Sequence, residues 1–359
     1  MDTKVAIIFG GKSAEFDVSL ISASNIYNAI DKDKFKVLLI GIDKNGKWFY
    51  NNNFNKENFI TTPKSFFKEA MSVIIESREN KNCILNTINY KIVEEFDVAF
   101  SIIHGTFGED GTLQGYFKAL NIPFVGSDIL GSAICMDKEV TKRLLRDNGV
   151  PIANFITLRK YQKEEISFEK VKGKLGVPFF VKPCNAGSSV VVSKVTNQET
   201  FLYAIEEAFK YDFKILIEEA ILGTEIECAI IGNENPKASV VGEIIPTKDF
   251  YSYDAKYNDA EGSKMKIPAE IDKDTINKLR KTALKAFQTV ECEGMARVDF
   301  FLRSDNSFVL NEINTLPGFT QISMYPKLWE QTGLSYSDLI TELIELALKR
   351  NIRNNKLIN

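Results

Sequence analysis

Histidine is almost absent. His104 is the only one in 359 residues, which excludes catalysis by a pair of histidines. Cysteine is sparse and unpatterned. Cys83, Cys135, Cys184, Cys228 and Cys292 are scattered, odd in number and without metal-ligand spacing, so they read as buried free thiols of a reducing compartment, the cytoplasm. No apolar run approaches the length of a membrane span. The opening Lys4–Phe9 stretch is too short for a signal h-region and flows straight into glycines. A net charge of -3 leaves no basic footprint for nucleic acid. Both common nucleotide fingerprints are missing, the dinucleotide G-x-G-x-x-G and the P-loop G-x-x-x-x-G-K-[ST].

What remains is an ordinary globular composition, 44% hydrophobic and 26% charged. The length suits roughly two or three domains. The most informative stretch is Gly294–Leu302, a cluster of turn formers, then Phe308–Asn314, which predicts a β-hairpin. Strand alternation puts Arg297, Asp299 and Phe301 on one face, and Leu310, Glu312 and Asn314 on one face. A turn centred on Asp305-Asn306 sets Asp299 opposite Glu312 and Arg297 opposite Asn314. Facing carboxylates repel. Either a hard oxygen-seeking cation such as Mg²⁺ relieves them, or they are solvated surface charges. The following loop, Thr315–Thr320, offers backbone N–H groups to an anion.

Val5–Phe9 predicts a strand buried on both faces, then a glycine turn and a helix from Glu15 to Ile30 with Val18, Ile21, Ile26 and Ile30 inward. Strand, glycine turn and helix open a doubly wound α/β unit. Phe35–Ile42 predicts a second strand, with a hairpin turn at Asn45-Gly46. Phe96–Ile103 predicts a further buried strand that ends at His104, where ligand residues gather in open α/β sheets. Asp137–Gly149 predicts a helix stopped by Gly149. Phe179–Pro183 and Val190–Val195 flank a small-residue loop, Cys184–Ser189, that fits either a phosphate cradle or a plain hairpin. Lys138 and Lys182 could supply positive charge there, and the strand Lys214–Glu219 ends in acids suited to ribose hydroxyls. The long polar stretch Thr247–Lys264 lacks any period and has the character of a lid. Helices are predicted over Ile271–Thr289 and Tyr336–Arg350.

These motifs together resemble the ATP-grasp enzymes, and within them the D-alanine–D-alanine ligases. The resemblance covers nearly the whole chain. It is carried by Gly10–Glu15, His104-Gly105 with Gly108–Gly115, Met136–Lys138, Val181–Pro183 with Gly187–Val190, Ala255–Tyr257, Arg297–Asp299, and Asn311–Thr315 with Pro317–Thr320 and Ser323–Pro326. Two positions depart from the family pattern. Asn185-Ala186 stands where an acidic residue is frequent, and Val191 where glycine is frequent.

The resemblance implies an α/β, ATP-grasp fold: a Rossmann-like N-terminal domain over 1–127, then a central subdomain over 128–219 and a C-terminal one over 220–359 that clamp ATP. It implies ligation of two D-alanines through an acyl phosphate, with ATP as co-substrate and two Mg²⁺ (or Mn²⁺), in a cytoplasmic homodimer with neither membrane nor nucleic-acid partner. By the same resemblance Asp299, Glu312 and Asn314 hold the metal. Lys138, Lys182, Ser189 and Lys256 reach the phosphates, while Glu218, Ile221 and Glu225 serve the ribose or adenine end. Arg297 and the Gly318 N–H stabilise the oxyanion. Glu15, Ser188 and Tyr257 form a hydrogen-bonded triad, His104 sits near the first substrate's carboxylate, and Ser323 and Met324 take the second. Tyr257 speaks against a D-lactate acceptor and Met324 against D-serine. A non-catalytic nucleotide-binding protein or a nicotinamide dehydrogenase fits less of the pattern.

Overall fold

The computed structural model describes residues 3–187, 192–246 and 263–357. Three sheets organise them. The first contains β1 (Thr3–Gly10), β2 (Phe35–Ile42), β3 (Trp48–Tyr50), β4 (Met71–Arg78), β5 (Lys81–Asn86), β6 (Ile92–Phe96) and β7 (Val98–Ser101), in the order β6-β5-β4-β3-β2-β1-β7. β1 lies parallel to both β2 and β7, and Val5 to Phe9 are wholly buried, as an apolar run covered on both faces requires. The doubly wound pattern stops there. The Asn45-Gly46 turn makes β2 and β3 antiparallel, and the chain continues as an antiparallel meander to β6.

Two sequence expectations change in this unit. The strand expected over Phe96–Ile103 is broken at Asp97: β6 ends on one side of it and β7 begins on the other, with the Asp97 N–H donating to the Lys4 carbonyl at 2.9 Å. The first helix, α1 (Phe16–Ala29), turns Ile21 outward at 47% exposure. Its inner face carries Ser19 and Ser22 instead. The Ser19 hydroxyl donates to the Ile102 carbonyl and accepts from the Gly10 N–H. Val18, Ile26 and Ile30 are buried as expected, and Ser19 adds a polar stitch between α1 and the ends of β1 and β7.

After α2 (Glu57–Thr61) and α3 (Thr112–Ala119), the chain forms α4 (Ile129–Met136) and α5 (Lys138–Asp147). The Asp137 carboxylate caps α5 by accepting from the Glu139 and Val140 N–H groups, and Gly149 closes it at φ +69°. The second sheet follows: β8 (Phe155–Arg159), β9 (Phe179–Pro183), β10 (Ser193–Val195) and β11 (Lys214–Glu219), ordered β10-β9-β11-β8. With α6 (Phe168–Leu175) and α7 (Gln198–Ala208) it encloses a separate core around Phe168, Phe179, Phe201 and Ile217.

The third sheet contains β12 (Thr224–Gly232), β13 (Lys237–Pro246), β14 (Ser263–Lys266), β15 (Gly294–Leu302) and β16 (Phe308–Asn314), ordered β14-β13-β12-β15-β16. Ser263 and Lys264, assigned from sequence to the lid, belong to β14; the rest of that stretch, 247–262, lies outside the described residues. One face of this sheet packs on α8 (Lys273–Thr289) through Cys228, Val298, Phe300 and Leu279. The other face changes character along its length. Ala229, Ile231 and Met295 pack under α9 (Met324–Thr332) and α10 (Tyr336–Asn354), in a core continuous with that of the first sheet. Two residues further along β12 the same face carries Glu227 and then Glu225.

The first and third units approach closely. Gly294 has φ +74°, and a Cβ there would lie 2.9 Å from the Gly126 carbonyl oxygen. Arg350 of α10 reaches across to donate to the Gly126 and Phe124 carbonyls at 2.5 and 2.7 Å.

Candidate active site

A groove between the three units is lined by Glu15, Glu109, Lys138, Gly187, Glu227, Arg297, Glu312, Asn314, Gly318, Ser323 and Met324, among others. Its floor is the acidic end of the third sheet. Asp299 pairs with Glu312 and Arg297 with Asn314, the registers predicted from sequence. The turn residues do not follow that register. Phe300 pairs with Leu310, so Asn311 is an extra residue, a β-bulge. The bulge flips Leu310 away from Glu312 and into the core with Phe300 and Ile313, which corrects the expectation that Leu310 shares the face of Glu312.

Across β12, Glu227 pairs with Asp299, so Glu227, Asp299 and Glu312 form one row. Arg297 lies among them. Its Nε donates to Asp299 Oδ1 at 2.8 Å and its Nη2 to Oδ2 at 2.7 Å, while Nε is 3.0 Å from Glu227 Oε2. Asp299 is fully buried and Glu227 is 2% exposed. Carboxylate oxygens of Glu225, Glu227 and Asp299 all come within 4.8 Å of one another. Glu225, Glu227 and Asp299 thus converge beside one guanidinium, with Glu312 and Asn314 opposite Asp299 and Arg297 on the adjoining strand. This oxygen-only donor set, negatively charged and largely buried, fits a hard divalent cation.

The opposite wall is basic. Lys138 opens α5 and donates from Nζ to the Ala186 carbonyl at 2.7 Å, and burial pushes its pKa down. Behind it, Glu218 at the end of β11 is gripped from both sides, by Lys142 Nζ at 2.5 Å and Lys182 Nζ at 2.7 Å. Burial opposes ionisation of Glu218, but the two lysines outweigh it and hold its pKa below the usual carboxylate range. Burial likewise opposes charge on Lys182, and Glu218 reverses this to leave its pKa raised; Lys142, where burial wins, is lowered. Two lysines against one glutamate leave a surplus of positive charge behind this wall.

At the third wall, Glu15 stands at the N-cap position of α1 and is 6% exposed. His104 is not on the groove wall. It is buried behind Glu109, with Nδ1 3.4 Å from Glu109 Oε1 and 3.2 Å from the Leu316 carbonyl oxygen, and Nε2 3.2 Å from Ser22 Oγ. Burial would depress its pKa, but Glu109, with Glu15 beyond, raises it overall. The fourth edge is the loop after β16 and the start of α9. The Ser323 hydroxyl accepts from the Thr320 N–H at 2.9 Å rather than capping its own helix, and the N-terminal end of α9 meets the groove at Met324.

The structure therefore gathers Glu15, Lys138, Arg297, Glu312, Asn314, Gly318, Ser323 and Met324 on one surface. It sets Asp299 under Arg297, and His104, Lys182 and Glu218 behind the wall; Glu225 lies beside Glu227 at the end of the acidic face, and Ile221 is half-buried in the turn before β12. Ser188, Ser189, Lys256 and Tyr257 lie outside the described residues. Sequence reasoning missed Glu109, Lys142 and Glu227 as site residues. Lys142 is one helical turn beyond Lys138, and Glu227 is two strand positions beyond Glu225, so each had a periodicity signal.

Family models described as the N-terminus and the C-terminus of D-ala D-ala ligase match residues 4–127 and 144–345. A D-alanine--D-alanine ligase of Oceanobacillus iheyensis is 53% identical, covering 99% of this chain and 98% of its own. D-alanine--D-alanine ligase A of Escherichia coli K12 is 52% identical, at 99% and 98% coverage. Among solved structures, the D-alanine-D-alanine ligase of Coxiella burnetii superposes with a TM-score of 0.89 at 36% identity, covering 99% of this chain and 96% of that one. The VanG D-Ala:D-Ser ligase of Enterococcus faecalis gives 0.86 at 34% identity, covering 97% and 100%. A Bacillus anthracis D-alanine--D-alanine ligase complexed with ATP gives 0.73 at 28% identity, covering 98% and 99%. With both family models matched and full-length relatives above half identity, the chain belongs to the D-alanine–D-alanine ligase family.

Proposed function

We propose that this protein joins two D-alanines into D-alanyl-D-alanine at the expense of ATP, which is cleaved to ADP and phosphate. The observation that carries the reading is the convergence on one groove of Glu15, the Arg297–Asp299–Glu312 floor and the N-terminal end of α9. The ammonium of the first D-alanine pairs with Glu15. One of its carboxylate oxygens attacks the γ-phosphorus, and the bond to the ADP oxygen breaks. The amine of the second D-alanine, its carboxylate held by Ser323 and the Met324 N–H, then attacks the acyl carbon and gives up a proton. Arg297 and the Gly318 N–H face the oxyanion, which collapses by expelling phosphate. Lys138 and Lys182, with Ser189 and Lys256, serve the phosphates, and Glu218, Ile221 and Glu225 the nucleoside end. Ser188 and Tyr257 complete the triad with Glu15, and His104 acts on the first substrate through Glu109. Asp299, Glu312 and Asn314 would hold the two Mg²⁺, which would supply positive charge to the transferring phosphoryl group. Catalysis is then positioning and charge stabilisation, not proton relay. The domains are taken as 1–127, 128–219 and 220–359; the step from β11 to β12 supports the last boundary, while α4 and α5 pack their Cys135 and Leu145 in the core of the third sheet.

D-serine or D-lactate as second substrate is not favoured: relatives named for D-alanine ligation stand at 52–53% identity, against 34% for the D-Ala:D-Ser ligase. The test is phosphate release by the purified protein with ATP, Mg²⁺ and D-alanine, repeated with D-serine, D-lactate and L-alanine. One phosphate per dipeptide, ADP as product and no turnover with L-alanine are expected. Production of AMP and pyrophosphate sinks the reading.

A further inference from the structure

Arg297 pairs with Asp299 and with Glu227, and Asp299 is also one of the residues proposed above to hold the metal. Asp299 holds the guanidinium at both Nε and Nη2, at 2.8 and 2.7 Å. Glu227, on the neighbouring strand, comes within 3.0 Å of the same Nε. Glu227 is 2% exposed and lies directly opposite a fully buried Asp299. Two buried carboxylates so placed repel each other, and burying each is costly without a cation. The next same-face residues of β12 are apolar, Ala229 and Ile231. A strand in this position needs no acid for its own packing.

A divalent cation at Asp299 would compete with the guanidinium for the same two oxygens. Without a second anchor, Arg297 would either hold Asp299 against the metal or swing out of the groove. We propose that Glu227 is the positioning residue of the site: it keeps Nε when the metal takes Asp299, so that the Nη edge turns toward the developing oxyanion. This inference rests on the metal-site and oxyanion reading given above.

The test is a double-mutant cycle, Glu227→Gln with Arg297→Ala, read two ways. The first readout is steady-state turnover. Glu227→Gln is expected to lower kcat roughly 10- to 100-fold with KM for D-alanine and ATP changed less than about threefold, because the lost interaction belongs to the transition state. In the Arg297→Ala background the same change is expected to move kcat less than about twofold. The second readout needs no turnover: Mn²⁺ binding in the presence of ADP, followed by electron paramagnetic resonance. Glu227→Gln removes the charge that competes with Asp299 for Arg297 Nε, so Mn²⁺ affinity should drop about fivefold or more with Arg297 present and less than about twofold without it.

Equal losses of kcat in both backgrounds would overturn the proposal, since Glu227 would then act without Arg297. Equal losses of Mn²⁺ affinity would overturn it too, making Glu227 a metal ligand. Should Glu227→Gln fail to fold, Glu227→Asp serves: it keeps the charge but draws it back from Nε, and it too should lower kcat. Wild-type kcat in Glu227→Asp would overturn the proposal. Failure of the parent protein to bind Mn²⁺ at all would sink the metal-site reading itself, and this inference with it.

Discussion

Glu218 shows how much of the site's electrostatics is set residue by residue. It is clamped between Lys142 and Lys182, and all three are largely buried. Replacing Glu218 by Gln leaves two buried ammonium groups facing a neutral amide, which should cost about 3–5 kcal/mol near neutrality. The pH dependence follows from its lowered pKa. A carboxylate more acidic in the folded than in the unfolded chain contributes stability in full above the unfolded value, about pH 4.3, and loses it as the pH falls through the folded one. Denaturant unfolding of wild type and Glu218→Gln should therefore differ most at neutral pH and converge below about pH 4.3. A gap that stays constant down to acid pH would contradict the pairing. Glu218 was legible in the sequence as an acid at a strand end. Its two partners were not legible together: Lys182 comes from the adjacent strand β9 and Lys142 from a helix far away in sequence.

Helix α5 presents Lys138 to the groove at its first residue, so its start matters more than its length. Asp137 accepts two backbone N–H groups and also pairs with Lys214 at 2.5 Å. Asp137→Ala should destabilise the protein by about 1 kcal/mol or somewhat more. Because Lys138 follows directly, the variant should also bind ATP more weakly, which nucleotide titration by calorimetry would read. Unchanged affinity would mean that Lys138 is placed by its bond to Ala186 alone. This helix was legible to within a residue or two, since cap and stop signals are local. The hairpin was legible where it mattered, at Asp299 and Glu312, because alternation is fixed by strand geometry. The bulge at Asn311 was not, since nothing in a single strand's pattern marks an extra residue. Ile21 misled for a related reason. Helical spacing assumes an apolar partner, while α1 meets the ends of β1 and β7 through Ser19, and the His104 ring through Ser22.

At the scale of the molecule, the cores are unequal. The first and third sheets share one continuous cluster, running from Val5 and Phe100 through Phe319 to Leu343. The second sheet has a separate, smaller one. Hydrogen exchange should then show amides of β8, β9 and β11 opening together at lower free energy than those of β1, β12 and β15. ATP should raise the protection of the second unit most if, as proposed, the nucleotide is held between it and the third. Uniform protection across the three sheets would contradict this. The shared core was invisible in the sequence. α10 and β1 stand at opposite ends of the chain, and no local pattern says that they pack together.

The central claim is that a carboxylate in this groove is activated by phosphoryl transfer and then captured by an amine. D-alanine labelled with ¹⁸O in its carboxyl group tests it directly, with the released phosphate analysed by mass spectrometry. Each phosphate should carry one oxygen from the carboxylate, because that oxygen attacks the γ-phosphorus and leaves with it. Phosphate free of label, formed in step with dipeptide, would contradict the account.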